Sequence, residues 1–168
     1  MYKREEIEEM IHKFGDMVYR FAYIQVKNPD MADDVYQNVW LRLLRVRKKM
    51  EPEEHLKAWL LRTTRSCCKD VWKSFWYQKI SLQDADVLLE EKSDGEVLKE
   101  DGYVTECVRR LPEKYRGIIH LYYYEGYRQK EISELLGIKE NTVASRLARG
   151  REKLKKILES DEVKNYEY

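Results

Sequence analysis

The chain has 168 residues, of which 38% are charged, and it contains only seven glycines and three prolines. This length suits one or two small domains, and the scarcity of turn-forming residues favours a helical protein. The formal net charge of +1 excludes a chain that is basic throughout, so any surface for nucleic acid has to be local.

The charges are unevenly distributed along the chain. Residues 56–80 contain six cations and one acid, whereas residues 84–101 contain eight acids and two lysines. Cations are again in excess from Arg109 to Lys156. Two basic modules therefore flank an acidic connector, a pattern that the net charge of the whole chain hides.

The cysteines and the termini bear on the compartment. Cys67, Cys68 and Cys107 form no CxxC pair, and adjacent cysteines have poor geometry for a disulfide and no zinc-ligand spacing. We therefore expect reduced thiols, no metal and a cytoplasmic protein. The N-terminus is charged from Lys3 onwards and no apolar run reaches membrane-spanning length, which predicts no membrane insertion.

Apolar residues at three- and four-residue steps predict three helices in the N-terminal half. The first covers Ile7 to Ile24 and ends before Asn28-Pro29-Asp30, where Asp30 is the predicted N-cap of the second helix. The third helix runs from about His55 to Tyr77. The second helix has Trp40 beside a buried stripe, which consists of Ala32, Val35, Val39 and Leu43.

Residues 81–102 are acidic and poor in apolar side chains, which predicts a linker. Beyond it, two helices are separated by Leu111-Pro112-Glu113, where Pro112 suits a helix start. The predicted fold is all-α, with two small helical domains, residues 1–80 and 103–168, joined by the acidic linker.

Residues 127–158 predict a helix-turn-helix in the C-terminal domain. A short helix reaches Leu136 and ends at Gly137, because glycine enters the left-handed C-cap conformation without a Cβ penalty. A second helix begins near Glu140 and continues through a basic tail. The second helix of such a motif normally lies in a DNA major groove.

The two faces of this last helix differ in chemistry. Val143, Leu147 and Leu154 belong to an apolar side that they share with residues 132–138. The opposite side carries Asn141, Ala144, Ser145, Ala148 and Arg149, whose alanines allow a close approach to base edges. A run of cations predicts phosphate contacts, and it consists of Arg146, Arg149, Arg151, Lys153, Lys155 and Lys156. A solvated amphipathic helix at a domain end is the alternative interpretation.

Two segments resemble a known family. Residues 30–45, Asp-Met-Ala-Asp-Asp-Val-Tyr-Gln-Asn-Val-Trp-Leu-Arg-Leu-Leu-Arg, are similar to the helix by which sigma factors grip the clamp helices of RNA polymerase. Residues 111–116, Leu-Pro-Glu-Lys-Tyr-Arg, followed by Glu125-Gly126 and the helix-turn-helix, resemble the domain that binds the promoter −35 element. The order and spacing of these motifs resemble the small extracytoplasmic-function class of the sigma-70 family.

The resemblance implies a role for each surface. The second helix would bind core RNA polymerase through Asp33, Asp34, Gln37, Asn38, Trp40, Leu41 and Arg45. The basic loop (within residues 46–54) and the third helix would receive the melted −10 strand through Arg47, Lys48, Lys49, Arg62, Arg65, Ser66, Lys69, Trp72, Lys73 and Trp76. The −35 element would be read by Arg128, Lys130, Asn141, Thr142, Ala144, Ser145, Arg146, Ala148, Arg149 and Lys153. Promoter DNA, core RNA polymerase and an anti-sigma factor would be the partners, with no cofactor and no small-molecule substrate.

The third helix also suits single-stranded DNA on physical grounds. Cations and aromatic residues alternate over residues 65–77, and stacking on an aromatic face returns about 1–3 kcal/mol per base. Packing inside the protein is the alternative for Trp72, Phe75 and Trp76, and it is the expectation for Trp59. Ser66 stands where the family usually carries Asn, so the −10 preference is expected to differ.

No catalytic constellation is apparent. His12, His55 and His120 lie in different elements without ligand spacing, and the glycines are isolated, so the chain is predicted not to be an enzyme. It is predicted to direct polymerase to promoters and to assist −10 melting. A dimeric operator-binding regulator with an N-terminal sensing domain and a DNA-processing enzyme are the alternatives. The acidic start of the second helix and the basic, aromatic third helix favour the sigma factor.

Overall fold

The computed structural model describes the backbone of residues 1–82 and 102–166 and the side chains of residues 1–79 and 102–162. This part of the chain contains seven α-helices and no strand, in agreement with the all-α prediction. The helices belong to two compact units, Met1–Gly95 and Glu96–Tyr168. The predicted linker, residues 81–102, lies outside the described residues except at its two ends.

The N-terminal unit is a bundle of α1 (Arg4–Val26), α2 (Pro29–Leu44) and α3 (Glu53–Leu82), in which every helix packs against the other two. Helices α1 and α2 approach closely because residue 15 is glycine, where a Cβ would lie 2.8 Å from Tyr36 Oη. Trp59, expected in the core, is only half-buried. The largest fully buried side chains of this unit are Val18, Phe21, Ile24, Val26, Leu43, Leu60 and Leu61.

The start of α2 differs from the prediction. Asn28, not Asp30, is the N-cap, and its Oδ1 accepts a hydrogen bond from the Met31 N–H at 3.1 Å. Pro29 occupies the first helical position, where its missing N–H leaves no bond unmade. Asp30 therefore lies in the first turn, where a carboxylate complements the helix dipole. Helix α3 also continues past the predicted Tyr77 to Leu82, two residues into the predicted linker.

The C-terminal unit consists of α4 (Gly102–Arg109), α5 (Glu113–Tyr123), α6 (Gln129–Leu136) and α7 (Glu140–Tyr166). Helix α7 packs against the other three. It comes close to α5 because Gly150 is buried there, where a Cβ would lie 3.1 Å from the Ile119 side chain. The unit thus holds α7 along most of its length and leaves one face outward.

Two polar contacts fix α4 within this unit. Arg116 on α5 is 5% exposed and donates to the Arg109 carbonyl oxygen at 3.4 Å, at the end of α4. Burial lowers the pKa of Arg116 to about 10, so the guanidinium stays charged at neutral pH. Near the C-terminal end of α7, Asp161 accepts a hydrogen bond from Tyr103 Oη at 2.5 Å and forms an ion pair with Arg110.

Candidate nucleic-acid interface

The predicted helix-turn-helix is present as α6, a closed turn and α7. Gly137 ends α6 with φ +66°, and its N–H and that of Ile138 both donate to the Ser133 carbonyl. Ser133 Oγ in turn donates to the Ile138 carbonyl at 2.5 Å. These bonds satisfy the Ser133 carbonyl in the last turn of α6 and fix the angle at which α7 starts.

Helix α7 presents the predicted polar face to the outside. Val143 and Leu147 are buried, with exposures of 0% and 1%, so they anchor the helix to its unit. Among the predicted −35 residues, Thr142, Ala144 and Arg146 are half-buried. The others are exposed, and they are Arg128, Lys130, Asn141, Ser145, Ala148, Arg149 and Lys153. A helix with this one-sided exposure can enter a groove without unfolding its unit.

One member of the predicted cation run has a different environment. The Arg151 Nε donates to Tyr123 Oη at 2.5 Å, and its guanidinium lies 5.3 Å and 5.5 Å from the ring centres of Tyr122 and Tyr123. Arg151 is exposed and also contacts α5, so its role as a phosphate ligand stays a prediction. Lys155 and Lys156 are exposed, and each lies within ion-pair distance of an acid one turn away on α7.

The predicted polymerase-binding residues lie along one exposed face of α2, with one exception. Trp40 is 6% exposed and packs edge-on against the Tyr36 ring at 5.9 Å. This burial corrects the prediction that the Trp40 side chain contacts polymerase. Leu44, which the sequence reading missed, is 46% exposed beside Leu41 at 51%. The exposed members of the predicted set are Asp33, Asp34, Gln37, Asn38, Leu41 and Arg45.

The basic and aromatic residues of α3 share one face of that helix. Trp72 is half-buried and stacks against Trp76, with ring centres 6.5 Å apart, while Phe75 meets Trp72 edge-on. Trp76 is 48% exposed, so the cluster offers an aromatic surface to the outside. Of the predicted −10 residues on this helix, Arg65 is half-buried and the exposed ones are Arg62, Ser66, Lys69 and Lys73.

Ser66 has a partner that the sequence did not indicate. Arg42 on α2 donates from Nη1 to Ser66 Oγ at 3.2 Å and from Nη2 to Asp70 Oδ2 at 2.6 Å. The two contacts link α2 to the predicted −10 face of α3.

The basic loop is joined to the first residues of the chain. The Met50 N–H donates to Tyr2 Oη, and the Met1 amino group donates to the Arg47 carbonyl, both at 2.7 Å. Lys49 forms an ion pair with Glu6. These partners are more than 40 positions apart in sequence, so no periodic signal could have predicted them.

Comparison with known proteins identifies the family of this chain. A family model for sigma-70 region 2 matches residues 10–76, and a model for sigma-70 region 4 matches residues 101–154. The RNA polymerase sigma factor SigZ of Bacillus subtilis is 32% identical over 91% of this chain and 87% of its own length. The ECF RNA polymerase sigma factor SigW of the same organism is 27% identical over 92% of this chain and 90% of its own length.

The chain belongs to the extracytoplasmic-function class of the sigma-70 family. It is an RNA polymerase sigma factor, and the alternative of a dimeric operator-binding regulator is not supported. The sigma factor RpoE of Bartonella quintana, solved in complex with the anti-sigma factor NepR, has the same fold. Its TM-score is 0.73 at 20% identity, over 92% of this chain and 97% of that one.

Within residues 1–82 and 102–166, no helix is long and apolar enough to cross a membrane. The same ranges contain no group of three or more His, Cys, Asp or Glu residues arranged to hold a metal ion.

Proposed function

We propose that the two units of this sigma factor divide promoter recognition between them. Residues 1–80 bind core RNA polymerase and the melted −10 strand, residues 103–168 read the −35 element, and residues 81–102 join the two domains. The observation that carries the proposal is the exposed polar face of α7, which stands opposite a buried apolar stripe.

The side chains of the α7 face suit base reading. Arg149 is exposed and has the planar donor geometry that matches the two acceptors of guanine in the major groove. Asn141 and Ser145 add shorter groups that donate and accept hydrogen bonds. Ala148, on the same face, lets the helix approach the bases. Lys153 lies where a phosphate contact would position the helix.

The exposed face of α2 suits a protein partner rather than DNA. Asp33 and Asp34 are negative and would repel phosphates, whereas they complement a basic protein surface. Leu41 and Leu44, about half-exposed, supply adjacent apolar area of the kind that interface cores use. We therefore assign this face to core RNA polymerase.

We also infer an anti-sigma factor as a regulatory partner. Support comes from the related RpoE of Bartonella quintana, which was solved in complex with the anti-sigma factor NepR. We place the protein in the cytoplasm, where core polymerase and promoter DNA are found. In this proposal the chain performs no catalysis itself and needs neither a cofactor nor a small-molecule substrate; it lowers the free energy of promoter melting by binding unstacked bases.

The polymerase assignment is tested by a charge reversal on α2. Asp34→Arg combined with Gln37→Ala should weaken binding to core polymerase about tenfold or more, because a cation replaces an anion at the interface. Both residues are exposed, so circular dichroism and the melting temperature should not change. Affinity is measured by fluorescence anisotropy with labelled sigma factor.

A matched variant controls for the change in charge. Glu9→Arg makes the same reversal at an exposed position of α1, outside the proposed interface, and should bind core polymerase like the wild type. If the α2 variant keeps wild-type affinity, or if Glu9→Arg loses as much, the assignment of this face to polymerase is wrong.

A further inference from the structure

The first six residues of the chain lie against the loop that is assigned to the −10 strand. Tyr2 is 6% exposed although it precedes the first helix, and its hydroxyl accepts the hydrogen bond from the Met50 N–H at 2.7 Å. The matched sigma-70 region 2 begins only at residue 10, so these six residues lie outside it. Burial of a side chain at this position is unusual for a terminal segment and indicates that it is held in place.

We propose that residues 1–6, the N-terminal strap, hold the basic loop in the conformation that receives the unpaired −10 strand, and that Tyr2 is the positioning residue. This inference rests on the proposed function of the loop.

The loop needs an outside support. Its beginning and its end are tied locally, by bonds from the N–H groups of Arg45 and Val46 to α2 carbonyls and from His55 N–H to the Pro52 carbonyl. Between those points, the Met50 N–H and the Arg47 carbonyl are bonded to the strap. A loop that is already ordered loses less conformational entropy when it binds a ligand, so it binds more tightly.

The strap also gives the three cations of the loop, Arg47, Lys48 and Lys49, different roles. Glu6 forms an ion pair with Lys49. The hydrogen bond from Lys49 lowers the pKa of Glu6, so the carboxylate stays charged. Arg47 and Lys48 are exposed. Lys49 therefore fixes the loop to α1, while Arg47 and Lys48 are the cations that track the phosphates.

The test uses holoenzyme, assembled from core polymerase and the full chain. The probe is the non-template single strand of a promoter that wild-type holoenzyme has selected from random DNA. Tyr2→Phe removes only the hydroxyl and keeps the buried ring, so the affinity for core polymerase should stay at its wild-type value, and the melting temperature should fall by no more than a few degrees. Affinity for the single strand should fall about fivefold, as expected for the loss of one hydrogen bond.

Two further variants make the result specific. Tyr115→Phe removes the hydroxyl of another buried tyrosine, 3% exposed in the C-terminal unit, and should leave the affinity for the single strand unchanged. Arg47→Ala combined with Lys48→Ala removes the phosphate contacts of the loop. Adding Tyr2→Phe to that pair should cause little extra loss, because a positioning residue acts only through the contacts it positions.

The outcomes separate this inference from the proposed function. If the loop pair weakens binding while Tyr2→Phe does not, the strap is irrelevant and the loop keeps its assignment. If the losses of single-strand affinity from Tyr2→Phe and from the loop pair add fully when all three substitutions are combined, Tyr2 acts independently of the loop. That result also overturns the inference. Wild-type binding by the loop pair would show that the loop does not hold the −10 strand, and the role of the strap would fall with it.

Discussion

Arg42 determines what its neighbour Ser66 can offer to DNA. Its guanidinium donates to Ser66 Oγ at 3.2 Å and is held in place by Asp70 at 2.6 Å. A serine oxygen that already accepts a hydrogen bond still has its own proton to donate. Ser66 should therefore act on the −10 strand mainly as a donor, aimed by a contact between α2 and α3. An asparagine at the same position would offer both a donor and an acceptor.

Arg149 is the residue on which −35 specificity should depend most. Replacing it with alanine should cost on the order of 1–3 kcal/mol at the matched promoter and relax the preference at one base position. Lys153→Ala should instead weaken all sequences alike and reduce the salt dependence by about one ion. Holoenzyme binding to promoters with single −35 substitutions, at several salt concentrations, measures both effects. Equal loss on every sequence would make Arg149 a phosphate contact.

At the scale of helices, the turn between α6 and α7 controls how the recognition helix is presented. Gly137 has φ +66°, a conformation that costs an L residue roughly 1–2 kcal/mol. Gly137→Ala should therefore lower the free energy of unfolding by about this amount, measured by urea denaturation. Gly137→Asn provides the control, because asparagine tolerates this conformation better and should lose less. Equal stability of the two variants would contradict the role of the backbone conformation.

The periodic elements of the fold could be predicted from the sequence, and the contacts between distant segments could not. The apolar stripe of α2 and the glycine corner before α7 were read correctly because both are local signals. The helix start at Asn28 could not be predicted uniquely, because both neighbours of Pro29, Asn28 and Asp30, are plausible N-caps. The sequence assigns Trp40 to the polymerase-binding set because it borders the exposed face of α2, whereas in the folded bundle its side chain is only 6% exposed.

At the scale of the whole molecule, acidic and basic residues lie on different surfaces, although the net charge is only +1. The acidic face of α2 disfavours phosphates, whereas the faces of α3 and α7 carry cations with aromatic or base-reading residues between them. Under the proposed function, steering toward DNA comes from the basic loop and from the faces of α3 and α7. Salt should therefore weaken promoter binding more than it weakens binding to polymerase.

This division predicts that recruitment and melting can be separated. Trp76 is 48% exposed on top of Trp72, and Lys73 is exposed beside it, so both can be removed without opening the core. Trp76→Ala with Lys73→Ala should leave binding to closed promoter nearly unchanged, because α7 and the polymerase contacts remain. Opening should become less favourable by about 1–3 kcal/mol if one base stacks on this surface.

Permanganate reactivity of promoter thymines distinguishes the two steps. With wild-type holoenzyme, thymines near −10 should react on closed duplex templates, and with the double variant they should react much less. A template with a pre-melted bubble removes the energy of unpairing, so it should restore part of the reactivity. If the variant opens the closed duplex like the wild type, the aromatic end of α3 is not the surface that captures the strand. The basic loop would then be left as the principal −10 site, since Arg47 and Lys48 remain exposed on the same unit.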